Sequence, residues 1–89
     1  MILSDDVSFE LLRNYGFQQD TGNYCFSFEN DECTVFIISS KRMKEYKYRH
    51  LYVEFKEHSM ILTEKTLCII YKMIADGILK GEEVWQVMF

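Results

Sequence analysis

Residues 24–38, "YCFSFENDECTVFII", alternate large apolar side chains with smaller or polar ones on both sides of an acidic break. Successive side chains on a strand point to opposite faces, so a run of this kind suits extended backbone with two distinct faces. The break, "ENDE", is made of turn-forming residues. The stretch after it, "CTVFII", is β-branched and aromatic, as strands prefer. An antiparallel pair is the expectation.

A two-residue loop at Asn30-Asp31 would pair Phe28 with Cys33, Phe26 with Val35 and Tyr24 with Ile37. Those six residues share one face. Cys25, Ser27, Thr34, Phe36 and Ile38 share the other. Cys25 and Cys33 then point apart, which speaks against a disulfide between them.

The alternation returns over residues 46–55, "YKYRHLYVEF". Tyr46, Tyr48, His50, Tyr52 and Glu54 fall on one side, and Lys47, Arg49, Leu51, Val53 and Phe55 on the other. The expectation is one long strand whose first half projects beyond the core, entered from a loop at "KRMKE". Upstream, "FQQDTGNYCFSF" reads as a hairpin turning at Asp20–Asn23. "MIL", residues 60–62, is short enough for an edge strand.

Two stretches have helical spacing. In "SDDVSFELLRNYGF" Val7, Leu11 and Tyr15 recur at i, i+4 and i+8. Ser4 is the candidate N-cap, Asp5 and Asp6 suit the first turn, and Gly16 suits the position after the end. In "TEKTLCIIYKMIADGILKG" Thr63 is the candidate cap. Leu67, Ile70, Ile74 and Ile78 trace an apolar stripe widened by Tyr71 and Met73, and Gly81 is the expected stop.

At 89 residues the chain is one domain, residues 1–89, with no repeat and no Pro-rich linker. The order α-β-β-β-β-(β)-α points to an α+β two-layer sandwich. It would have an antiparallel sheet of four or five strands, with the N- and C-terminal helices on one face. The core face would be Tyr24, Phe26, Phe28, Val35, Ile37, Leu51, Val53 and Phe55. The other face would then show Phe36, Ile38, Tyr48, His50 and Tyr52. A solvated sheet face should read polar, and this one reads aromatic. Either the apolar tail "VWQVMF", with Trp85 and Phe89, covers it, or a partner does.

Charge is unevenly spread. The window "KRMKEYKYRH", residues 41–50, holds half of the Lys and Arg: Lys41, Arg42, Lys44, Lys47 and Arg49. Together with Glu45 they make it +4. The chain carries −4, so all other residues sum to −8. Cations bordering Tyr46, Tyr48 and Tyr52 are the arrangement by which some sheets stack the bases of single-stranded nucleic acid. The acidic remainder and the missing RNP-type pattern oppose that reading. The plainer reading is a solvated strand rim guarded by charge against edge aggregation.

Little points to catalysis. The three cysteines form no C-x-x-C, and His50 and His58 lack ligand spacing, so neither a metal nor another cofactor is expected. Cys68 lies in an apolar helix, where it reads as a small core residue. Asp5-Asp6, Asp31-Glu32 and Glu82-Glu83 fall at helix ends or turns. Glycine is too sparse for a phosphate loop.

Reduced thiols, the absence of a leader-like start and the absence of a long apolar run predict a cytoplasmic protein without a membrane span. The leading expectation is a small non-catalytic interaction domain. It would bind a protein partner or a second copy of itself through Phe36, Ile38, Tyr48, His50, Tyr52, Trp85 and Phe89, with no small-molecule substrate. Nucleic-acid binding through the five cations is the alternative. An acidic inhibitor of a nucleic-acid-binding protein is a further one.

Overall fold

The computed structural model describes residues 1–56 and 62–81, and residues 85–87 through their backbone. In chain order the elements are β1 (Ile2–Leu3), a 3-10 helix (Phe9–Tyr15), β2 (Gln18–Gln19), β3 (Cys25–Glu29), β4 (Cys33–Ile38), β5 (Leu51–Phe55), α1 (Glu64–Ala75), β6 (Leu79–Lys80) and β7 (Trp85–Val87). The class is α+β. Strands β2-β3-β4-β5-β7 form one sheet, antiparallel as far as β5, with β7 added parallel to β5. Strands β1 and β6 form a separate antiparallel pair.

The alternating stretch folds as a hairpin, with its register displaced by two residues from expectation. Phe26 pairs with Ile37 and Phe28 with Val35. The Asn30 N–H donates to the Cys33 carbonyl at 3.0 Å, so the two loop residues are Asp31 and Glu32. The Asn30 side chain explains the shift. Its Oδ1 accepts from the N–H groups of Glu32 and Cys33, both at 2.9 Å, so Asn30 opens the turn. A displacement of two leaves every side chain on its expected face.

One face carries the main core. Phe26, Val35, Ile37, Leu51, Val53 and Phe55 pack with Leu12 and Phe17 from the N-terminal part and with Ile70, Met73, Ile78 and Leu79 from the C-terminal part. The 3-10 helix and α1 both contribute to this core, but the N-terminal spacing is not the buried one. Leu12 turns inward and Leu11 of the expected Val7, Leu11, Tyr15 stripe is 37% exposed, because the element winds with about three residues per turn.

Local details differ. The N-terminal helix starts at Ser8, whose hydroxyl accepts from the Glu10 N–H at 3.3 Å. Ser4 is engaged elsewhere. Its N–H donates to the Ile78 carbonyl at 2.8 Å and its hydroxyl to the Gly77 carbonyl at 2.8 Å. Helix α1 is capped by Thr63 as expected. It ends four residues early, because Gly77, not Gly81, supplies the first left-handed residue after it (φ 75°).

The buried stripe of α1 is Thr66, Ile70 and Met73, whereas Leu67, Ile70, Ile74 and Ile78 had been expected. Thr66 is fixed inward because its hydroxyl accepts from Asn30 Nδ2 at 2.8 Å, which turns Leu67 and Ile74 away from the core. In the expected edge strand "MIL", Met60 and Ile61 lie outside the described residues, and Leu62 is not in a strand.

Candidate functional site

The expected open aromatic face is not open. Phe36, Ile38 and Tyr52 are buried, and they form a second, smaller apolar cluster with Cys25, Met43 and Tyr46. Its cover is the basic stretch itself. Residues 41–50 do not begin a projecting strand. They run as successive turns, and β5 starts only at Leu51. Carried past the Ile37–Leu51 pair, the antiparallel register would set Tyr46 opposite Arg42 in a two-stranded ribbon with no third layer. Folding back instead buries Tyr46 and Met43 against the sheet, and it shields Phe36, Ile38 and Tyr52 from water.

Three rings organise this cluster. Phe36 and Tyr52 stack with centroids 5.6 Å apart. Tyr46 meets both edge-on, at 5.5 Å from Phe36 and 4.8 Å from Tyr52. The Tyr52 hydroxyl accepts from the Lys47 N–H at 2.9 Å. Two of the tyrosines expected to stack bases, Tyr46 and Tyr52, thus pack against each other.

The basic stretch also reaches past the end of the sheet to the other side. Tyr48 meets Phe9 of the 3-10 helix edge-on at 5.9 Å, and Lys41 Nζ lies 5.3 Å from the centre of the Tyr48 ring. Arg49 is structural. Its guanidinium donates to the carbonyls of Ser4 (2.5 Å) and Val7 (2.7 Å) and sits 4.9 Å over the Phe9 ring. Arg49 also holds left-handed backbone at φ 69°. His50 Nδ1 lies 3.2 Å from the Tyr48 carbonyl, and its backbone bridges to Ile2.

Of the five expected phosphate ligands, Lys41, Arg42, Lys44 and Lys47 are exposed and Arg49 is drawn inward. Trp85 lies in register with Tyr52, and Phe89 is outside the described residues.

The far half of the second sheet face is polar. Gln18, Ser27, Glu29 and Thr34 line a shallow groove of about 440 Å³ together with Gly16, Gln19 and Phe28. Glu29 is already engaged there, by Lys56 at 3.3 Å and by the Thr34 hydroxyl at 3.3 Å.

The outward side of α1 was missed by periodicity. Tyr71 is 60% exposed and Ile74 is 37% exposed, and half-buried Leu67 lies on the same side one turn earlier. A signal was present. The run from Leu67 to Ala75 is apolar nearly all round the axis, interrupted by Lys72, which is more than one core-facing stripe requires.

The cysteines are free thiols, with Cys33 in the main core and Cys25 at the second cluster; Cys68, expected in the core, is exposed, because α1 turns Thr66, Ile70 and Met73 inward. Burial pushes the Cys25 thiol up to about 11, and the Asp20 carboxylate adds to the rise. The Tyr15 phenol is raised by its hydrogen bond to Asp76, 2.7 Å away. Among the described residues no three His, Cys, Asp or Glu side chains converge on a possible metal position. No helix among them is long and apolar enough to cross a membrane. Comparison with known proteins returns no match, whether to a family model, a curated protein or a solved structure.

Proposed function

We propose that this chain is a small non-catalytic interaction domain whose partner is another protein or a second copy of itself. The contact side is the outer face of α1, not the aromatic sheet face. The observation that carries this is the adjacent pair Tyr71 and Ile74, exposed one turn apart on a regular helix with Leu67 beside them. Large apolar side chains clustered on a rigid element favour docking, because they lose little conformational freedom on binding. The test is the double variant Tyr71→Glu, Ile74→Ser, compared with wild type by native mass and by partner capture. Both side chains are exposed, so the circular dichroism spectrum should stay the same while assembly or capture is lost. A variant that assembles and captures as wild type does would sink the proposal.

A second reading rests on Lys41, Arg42, Lys44 and Lys47, four exposed cations within seven residues. They suit phosphate contacts without base stacking, since Tyr46 and Tyr52 are turned onto each other. Four contacts to a single strand would give a logarithmic salt slope of about −3. Fluorescence anisotropy with an oligonucleotide at low salt tests it, and the absence of any binding there removes it.

A further inference from the structure

We propose that residues 40–47 form a hinged cover that lifts off the sheet as a unit, pivoting at Ser39 and Arg49 and uncovering Phe36, Ile38 and Tyr52 while the main core stays folded. Several independent features converge on this segment.

The first is how the segment is bonded. Its backbone bonds are largely its own. The Met43 N–H donates to Ser40 and the Tyr46 N–H to Met43, each at 3.3 Å. Bonds this long are weak, and without the sheet beneath them the turns no longer protect their amides, so lifting exposes the whole segment to exchange. The ties to the sheet include the packing of Met43 and Tyr46 and the Lys47 N–H bond to the Tyr52 hydroxyl. Breaking these leaves every strand pair of the sheet intact.

The second is how the two ends are held. The Ser39 N–H donates to the Tyr24 carbonyl at 2.9 Å, and the Arg49 N–H to the Ile38 carbonyl at 2.8 Å. Arg49 is further clamped through its guanidinium to Ser4 and Val7. Both pivots thus stay with the body while the chain between them is free to swing.

The third is where cost is stored. Among the described residues, the buried side-chain polar atoms without a hydrogen-bond partner are Ser39 Oγ and Arg49 Nε. They mark the two pivots. Arg49 also carries a left-handed backbone (φ 69°), which is unfavourable for a residue with a β-carbon. Because both pivots stay with the body, these costs are carried whether the cover is closed or lifted, and closure itself depends on the Tyr46, Phe36 and Tyr52 ring cluster.

The fourth is the separateness of what is covered. The cluster under the cover shares the sheet with the main core but is built on its opposite face. The main core can therefore persist when the cluster is exposed, as sub-global opening requires.

Native-state hydrogen exchange, read by NMR across a series of low urea concentrations, tests this. The amides of Met43, Tyr46 and Lys47 should share one opening equilibrium. That opening should be at least 100-fold more frequent than the opening of Val35 and Val53, with a urea dependence well below that of global unfolding. In Tyr52→Phe the ring stays and the acceptor for Lys47 is lost. Protection of all three amides should then fall together by roughly 3- to 10-fold, the worth of one net hydrogen bond.

Three results would overturn the proposal. The first is that the three amides match Val35 and Val53 in both opening frequency and urea dependence, so that the cover opens only on unfolding. The second is exchange at unprotected rates, so that no closed cover exists. The third is that Tyr52→Phe changes Lys47 alone, so that the segment does not move as a unit.

Discussion

The two faces of the five-stranded sheet both carry large apolar residues, one along its length and the other in part, and they are covered in different ways. On one face Phe26, Val35, Ile37 and Val53 lie under the 3-10 helix and α1 and join one continuous core. On the other, Phe36, Ile38 and Tyr52 lie under a run of turns. A helix satisfies its own backbone and offers a broad apolar side, so it can cover many sheet residues at once. A turn-rich segment can bury only the few side chains its geometry happens to aim inward. Here these are Met43 and Tyr46, while Lys41, Arg42, Lys44 and Lys47 stay in water. Fewer apolar residues and a cover made of turns thus leave a shallow core on the second face, where Ser27, Glu29 and Thr34 are polar.

The contrast can be broken most severely from the deep side. Phe26 is buried and lies 5.9 Å from Phe9 in a stacked arrangement. Phe26→Ala should cost about 3–5 kcal/mol, as removing a core ring typically does. For a domain of this size that is a large share of the total stability. Urea denaturation followed by circular dichroism reads the loss, and a cost below 1 kcal/mol would contradict the placement of Phe26 in the main core.

A smaller effect is expected from the shallow side. Tyr46 is half-buried, and its neighbours can close over the gap it leaves. Tyr46→Ala should cost about 1–2 kcal/mol, so the two substitutions rank the two faces directly. If Tyr46→Ala proved as costly as Phe26→Ala, the small cluster would be as much a structural core as the large one.

The smallest effect concerns pH. Cys25 borders the shallow cluster, and its pKa is raised from 9.0 to about 11 by burial and by Asp20. The unfolded chain releases this proton more readily than the folded one. The contribution is therefore fully present below pH 9.0 and is lost as pH rises through about 11. Denaturation midpoints for wild type and Cys25→Ala should run parallel below pH 9 and converge above it. Parallel curves up to pH 11 would show that the thiol is not held neutral by its surroundings. Exposed Cys68 should be alkylated well before Cys25 or Cys33 at pH 8.

Much of the fold was legible in the chain, for a local reason. The faces of β3, β4 and β5 follow from the alternation of side chains, and they survived a register displaced by two residues. The turns at Asp20–Asn23 and at "ENDE", the Thr63 cap and the apolar character of both helical stretches are also local properties. The candidate site was less legible. Of the five cations at 41–49, four are exposed as a charged rim requires and Arg49 is not. The aromatic residues beside them were found as a group, but their exposure was misjudged. Alternation at Tyr46, Tyr48 and His50 satisfies a strand pattern equally well whether or not a partner strand is there to receive it.

What the sequence by itself determined is therefore which strand residues share a face, where the chain turns and that a helix follows Thr63, because each depends on neighbours within a few positions. Tertiary structure decided what covers the second face and which way α1 is rotated. Ile70 and Met73 of α1 meet the sheet residues of the main core, and the bond between Asn30 and Thr66, 36 residues apart, goes with that rotation. The contact of Tyr46 with Phe36 and Tyr52 determines how residues 41–50 fold. These outcomes are competitions between distant apolar surfaces and water. Such a competition is resolved only when both surfaces are in place, so no local pattern records it.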